Sequence, residues 1–171
     1  MAKNKTERNY ECVKCNNRVG QEEIFNIDGK DVCVKCIYGK TKPVRIYPIG
    51  IVKNELQRAE KGYGTLGKKG LSRIELLKSQ KPFLYKLEDE KFITVIYYLH
   101  ESSSIISVFN RGLDGKRVGV FASRTPDRLS RIGIQDVRLV KVEGTVLYVE
   151  GLDAVNGTPV LDIKLKWNKF D

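Results

Sequence analysis

Short runs of β-branched and aromatic residues, broken by turn residues, constrain the fold of this chain more than any other feature. Residues 92–99 read FITVIYYL, and residues 105–110, 118–122, 134–143, 145–149 and 160–165 follow at short spacing. Ser102-Ser103-Ser104, Leu113-Asp114-Gly115-Lys116, Glu143-Gly144 and Asn156-Gly157 separate them with residue types that suit tight turns. Residues 44–52 (VRIYPIGIV) have the same texture, with Pro48 marking an edge or a bulge. Tyr97 and Tyr98 fall on opposite faces of their strand, so at least one belongs to the core. The only helical candidate is short and lies between Leu71 and Lys81. Many β runs with little helix predict a mainly β domain, closed as a small barrel or packed as a sandwich.

The region before residue 44 differs. All four cysteines lie in the first 36 residues, as Cys12-Val-Lys-Cys15 and Cys33-Val-Lys-Cys36, two C-x2-C pairs separated by seventeen residues. Each pair can close a tight knuckle that presents two thiolates to one ion. The spacer, punctuated by Asn16-Asn17 and Asp28-Gly29, is long enough for a hairpin that brings the knuckles together. Four thiolates suit tetrahedral Zn²⁺ at about 2.3 Å from each sulfur, and a site with no open position is structural. Iron in a rubredoxin-like site fits the same ligands. Redox C-x-x-C chemistry needs only one pair and a βαβ setting, which is missing around these two. The expected metal ligands are therefore Cys12, Cys15, Cys33 and Cys36. A segment this short has little core, so bound metal would supply much of its folding free energy. Lys14 and Lys35, inside the knuckles, either touch phosphate or counter the charge of the site. Gly39-Lys40-Thr41-Lys42-Pro43 reads as a linker, since Pro43 biases Lys42 away from helix. The expected organisation is a zinc-ribbon-like module with its linker over residues 1–43 and a β domain over 44–171.

The chain carries 31 Lys and Arg against 21 Asp and Glu, a net charge of +10. This favours a polyanionic partner, nucleic acid first, with a merely solvated basic face as the alternative. At 171 residues it is too short for a doubly wound enzyme with a separate substrate domain, and 41% hydrophobic residues argue against wholesale disorder. No apolar run approaches the roughly 18–20 residues of a membrane span. The N-terminal MAKNKTERNYEC lacks the apolar centre of a signal peptide. The expectation is a soluble, cytoplasmic chain without a membrane partner, in which thiols stay reduced.

Two stretches are more specific than core packing requires. In the first, GVFASRTPDR (residues 119–128), a strand ends in a turn carrying Arg124 and Arg128. Either these arginines hold a carboxylate or phosphate by bidentate hydrogen bonds, or they are solvated. In the second, GLDAVNGTPVLDIK (residues 151–164), a tight turn at Asn156-Gly157 precedes Asp162 in an apolar run. There Asp162 needs a partner, structural or functional. His100, the only histidine, ends an apolar strand and has the same two readings. Together with YPIGIVKNE and FITVIYYLHES, these stretches resemble the TsaA/TrmO-like (YaeB) family, the tRNA N6-threonylcarbamoyladenosine methyltransferases, over roughly residues 46–164.

The resemblance implies a small β-barrel, a homodimer, and S-adenosylmethionine held near the subunit interface. It places His100 and Glu101 beside that cofactor, Arg124 on its polar part and Ile134 against it, with Val155, Asn156, Gly157 and Thr158 wrapping it through backbone groups. His100, Arg128 and Asp162 are the candidates for chemistry. Methyl transfer by an SN2 step depends on alignment and on a route for the acceptor's proton. The zinc module and the basic residues Lys61, Lys68, Lys69 and Arg131 would grip the phosphates of tRNA. The chain departs from the family pattern at Leu129-Ser130-Arg131, where prolines are usual, and at Leu165-Lys166, where an aromatic is usual; Trp167 follows one residue later. The family's early P-R-Q-type cofactor segment has no clear match in this chain, unless the glycine-rich basic stretch over residues 62–70 replaces it. These departures motivate the alternatives: a non-catalytic zinc-ribbon and barrel module that binds RNA or protein, or a methyltransferase of this fold with another substrate.

Overall fold

The computed structural model describes residues 9–56 and 70–166. Lys61, Lys68, Lys69 and Trp167 lie outside the described residues, as does most of the glycine-rich basic stretch. The chain forms two compact units, Met1–Arg45 with Ser102–Ser130 and Ile46–Glu101 with Arg131–Asp171. In chain order the strands are β1 (Tyr10–Glu11), β2 (Arg18–Val19), β3 (Ile24–Ile27), β4 (Lys30–Cys33), β5 (Gly50–Lys53) and β6 (Leu71–Leu76). They continue with β7 (Phe92–Tyr98), β8 (Val108–Asn110), β9 (Arg117–Gly119), β10 (Ile132–Glu143), β11 (Val146–Glu150) and β12 (Pro159–Leu165). One short α-helix, α1 (Val34–Tyr38), follows β4.

The second unit is a closed six-stranded antiparallel barrel in the order β10-β11-β6-β5-β12-β7. Closure removes the open strand edges that would otherwise invite pairing with another chain. Strict alternation supplies the core. Val52, Ile74, Ile93, Val95, Tyr97, Val137, Leu139, Leu147, Val149 and Val160 point inward and are buried. Burial of each large aliphatic side chain contributes about 1.5–3 kcal/mol. Tyr97 is the inward member of the tyrosine pair, and its hydroxyl donates to the Asp153 carbonyl at 3.2 Å. Burial, reinforced by the Asp153 charge, pushes its phenol up to about 12. A register shift between Val160 and Asp162 re-aims β12. Asp162 is thereby half exposed and pairs with Lys164 at 2.7 Å, the partner its place in the run demanded.

Residues 71–81 do not form the expected helix. Ser72, Ile74 and Leu76 alternate inward as strand β6, which pairs with β5 and β11. A 3₁₀ segment follows only at Lys78–Leu84. The period of two, not helix propensity, decides this stretch. Two expected strands shorten for a related reason. From residues 105–110 only Val108–Asn110 pairs as β8, while Ile105 forms a single bridge to Ile27. From residues 118–122 the pairing stops at Gly119, and Val120–Ala122 turns as 3₁₀.

The first unit is built on small two-stranded pieces, β1-β2, β3-β4 and β8-β9. Cys12, Val32 and Cys33 are buried, with Val19, Ile24, Ile27, Cys36 and Ile37 packed around them.

Candidate metal centre and barrel-end site

The β1-β2 turn presents Cys12 and Cys15. The end of β4 and the first turn of α1 present Cys33 and Cys36. The β3-β4 hairpin in the spacer folds one pair onto the other, so that all four sulfurs lie within 4.8 Å of one another. The Cys12–Cys36 and Cys15–Cys33 sulfur separations are both 3.8 Å. A tetrahedron with metal–sulfur bonds of about 2.3 Å has edges of about 3.8 Å, so the donor set fits one four-coordinate ion.

Backbone N–H groups of Cys33 and Lys14 reach the Cys12 sulfur at 3.3 and 3.4 Å. These bonds, that of Cys33 foremost, pull the Cys12 thiol down to about 6 despite its burial. Cys36 is pushed up to about 12 by hydrogen bonding to Cys15 and Cys33, by burial and by the neighbouring Cys12 charge. Four sulfurs held this close form a site that a cation would suit.

In the barrel unit, His100 follows β7 and stands beside residues 155–158. The Thr158 Oγ1 and His100 Nδ1 atoms are 3.4 Å apart. Gly157 has φ +86°, and a Cβ there would meet His100 Nε2 at 3.9 Å. Thr158 and Val155 are buried, whereas His100, Glu101 and Ile134 are exposed. The N–H groups of residues 156–158 are already committed: Asn156 to Leu56, Gly157 to Val52 and Thr158 to Val155, at 2.6, 2.8 and 3.2 Å. The Val155 and Thr158 carbonyls are engaged as well, by the N–H groups of Thr158 and Val52, so a ligand here would meet chiefly side chains.

Asn54 and Ser72 are functional-site supports that the sequence reading passed over. The Asn54 carboxamide donates to Ser72 Oγ at 3.1 Å and to the Ala154 carbonyl at 2.8 Å. Its backbone N–H reaches Asn156 Oδ1 at 3.3 Å. Asn54 thus clips the loop to the barrel wall. A polar side chain directly closing the apolar IGIVK run was the available signal. Beside the clip opens a cavity of about 660 Å³ lined by Lys53, Asn54, Ser72, Arg73, Tyr148 and Asn156, among others.

Arg124 and Arg128 belong to the first unit. Arg128 folds back on its own turn, its Nε donating to the Thr125 carbonyl at 2.9 Å and its Nη2 to the Ser123 carbonyl at 2.7 Å. Arg124 is exposed. Arg131, in the barrel unit, has φ +51° and gives its carbonyl to Leu99 N–H at 2.8 Å. Its Nε is buried without a hydrogen-bond partner among the described residues.

No helix among the described residues is long and apolar enough to cross a membrane. A family model described as the tRNA-methyltransferase O N-terminal domain matches residues 60–171. The tRNA (adenine(37)-N6)-methyltransferase of Homo sapiens is 34% identical over 102 residues, covering 58% of this chain and 23% of that protein. The chain thus spans about a quarter of the length of that relative. A probable S-adenosyl-L-methionine-binding protein of Methanothermobacter thermautotrophicus is 33% identical over 130 residues, covering 75% of this chain and 93% of that protein. The crystal structure of TrmO from Pseudomonas aeruginosa superposes with a TM-score of 0.59 at 27% identity, over 74% of this chain and 57% of that one.

Proposed function

The chain belongs to the tRNA-methyltransferase O N-terminal domain family, and on that premise we propose that it methylates tRNA with S-adenosylmethionine, at N6 of threonylcarbamoyladenosine beside the anticodon. The observation that carries this reading is the convergence of His100, Gly157 and buried Thr158 where β7 ends, on a barrel whose neighbouring strand β10 exposes Ile134. The donor set suits a nucleoside-bearing cofactor. His100 and the Asn156 side chain offer hydrogen bonds to a base or ribose, and Ile134 offers an apolar surface. The cofactor, when bound, supplies the methyl group as a sulfonium; the acceptor nitrogen uses its lone pair to displace sulfur.

The chain's own residues have the remaining tasks. His100 is placed to accept the proton that the nitrogen loses, and Thr158 orients its ring through Nδ1. The Asn54 clip keeps the loop in place. Asp162 and Arg128, both engaged within the protein, serve structure in this scheme.

The four-cysteine site holds structural zinc. Arg131, together with Lys61, Lys68 and Lys69, contributes to tRNA contact. Ile132 and Ile134 on the outer face of β10, paired with Tyr98 and Ile96 of β7, form an apolar stripe suited to a second copy of the chain in a homodimer. The function places the protein in the cytoplasm, where tRNA is modified.

The commitment of Arg128 to its own turn favours a second reading, a binding module without chemistry. Mass spectrometry of nucleosides in tRNA from cells lacking the protein separates the two. Loss of methylated threonylcarbamoyladenosine is expected; an unchanged nucleoside profile refutes the methyltransferase.

A further inference from the structure

The β3-β4 hairpin touches more than the metal site. Its β4 end carries Cys33, and its tip is Asp28-Gly29, with φ +50° and +77°. Two left-handed residues make the two-residue turn whose twist matches the flanking strands. That tip is fastened to a distant part of the sequence. Asp28 N–H donates to the Ile105 carbonyl at 3.0 Å. Ser107, 79 residues away, gives its N–H to Asp28 Oδ1 at 2.9 Å and its hydroxyl to Oδ2. One residue earlier, Ile27 bridges in parallel to Ile105, which is only 3% exposed. Hydrogen bonds to an ionised acceptor are the stronger kind, and these hold the Asp28 carboxyl below its usual range.

From Ser107 the bonds continue. Its carbonyl accepts Val120 N–H at 2.9 Å, and the Val120 carbonyl accepts the Ser123 hydroxyl at 2.7 Å. The Ser123 and Thr125 carbonyls accept the Arg128 guanidinium. From the other side, Ile106 N–H reaches the Asp127 carbonyl at 3.1 Å and Ser104 Oγ reaches Asp127 Oδ1 at 2.8 Å. Arg124 sits between Ser123 and Thr125, inside this network. The segment itself contributes no metal ligand.

We propose that Asp28 is a positioning residue that fastens the Ser102–Ser130 segment, and Arg124 with it, to the metal-binding hairpin. The hairpin has too small a core to order itself without its ion: among its described residues only Val32 and Cys33 are buried, packed with Cys12 of the β1-β2 turn. Metal loading therefore sets the order of a segment seventy residues and more downstream.

Hydrogen exchange of the full chain tests this, comparing wild type with metal, wild type after chelation, Asp28→Ala and Asp28→Asn. Metal content is read by elemental mass spectrometry. Asp28→Ala is expected to keep its metal while the amides of Ser107 and Val120 exchange about tenfold faster, as local opening becomes easier. Asp28→Asn lies between, because one carboxamide oxygen still accepts the Ser107 N–H. Chelation reproduces the faster exchange, and the barrel strand Phe92–Tyr98 stays protected. Unchanged exchange at Ser107 and Val120 in Asp28→Ala, or after chelation, overturns the proposal, as does loss of metal from Asp28→Ala.

Discussion

Replacing Gly133 by alanine should strain the barrel through one defined contact. Gly133 lies on β10 directly opposite Tyr97 of β7. A Cβ at this position would stand 2.4 Å from Tyr97 Cε2 and 2.6 Å from Cζ, a full 1 Å short of the 3.4 Å where ordinary contact begins. The ring is 6% exposed, so it has to retreat into packed neighbours, and its hydroxyl is tied to the Asp153 carbonyl at 3.2 Å. Overpacking of this kind costs about 1–3 kcal/mol, and losing the hydroxyl bond adds about 0.5–1.5 kcal/mol. We therefore expect Gly133→Ala to destabilise by about 2–4 kcal/mol. Urea unfolding followed by circular dichroism should show the midpoint falling by about 1–2 M, given slopes of about 1–3 kcal/mol per molar for small domains. Combined with Tyr97→Leu, the two changes should be strongly non-additive, because the second removes the ring that the first offends. A cost below about 0.5 kcal/mol, or simple additivity with Tyr97→Leu, would refute the reasoning.

Tyr97 gives a pH prediction. Its phenol is raised to about 12 in the fold, so the unfolded chain, with a tyrosine near 10, loses its proton first as pH rises. Stability contributed by this group is complete below pH 10 and declines up to about 12, by about 3 kcal/mol at most; Tyr97→Phe should remove that part of the alkaline profile. Cys12→Ser should abolish stoichiometric metal binding and open the first unit to proteolysis, while the barrel's β signal in circular dichroism persists. His100→Ala is expected to lower methyl transfer by a factor of 10²–10⁴ in a single-turnover assay with tRNA, the range for losing a general base; an effect under threefold would remove His100 from the chemistry. If basic residues grip tRNA phosphates, affinity should fall with salt at a log–log slope of about −0.7 per contact, and a flat response would show that the charge is only solvated.

The β runs made the barrel's substance legible. Inward residues on β7, β11 and the centre of β10 fall at the period of two that the sequence displays, because a pleated strand has no other way to bury one face. Residues 71–81 do not read as a strand because inward Ser72 is polar and outward Leu71 is apolar, and only pairing with β5 and β11 settles them. The four cysteines declared themselves by spacing, and the Asp28-Gly29 turn by its residue types. Asn54 was overlooked because a single polar residue after a strand looks like any strand end until the loop it clips is in view.

What the sequence determined by itself was local: the C-x2-C pairs, the turn residues and the alternation that commits most of the chain to strands. Tertiary structure decided what is joined across long separations. It closed the sheet, laid the Tyr97 ring on Gly133, turned Asp162 out to Lys164, committed the amides of residues 156–158, and carried Ser107 to Asp28. The physical reason is that periodicity and turn chemistry act over a few residues, whereas these contacts depend on register and bulges, which are settled only when the strands pair.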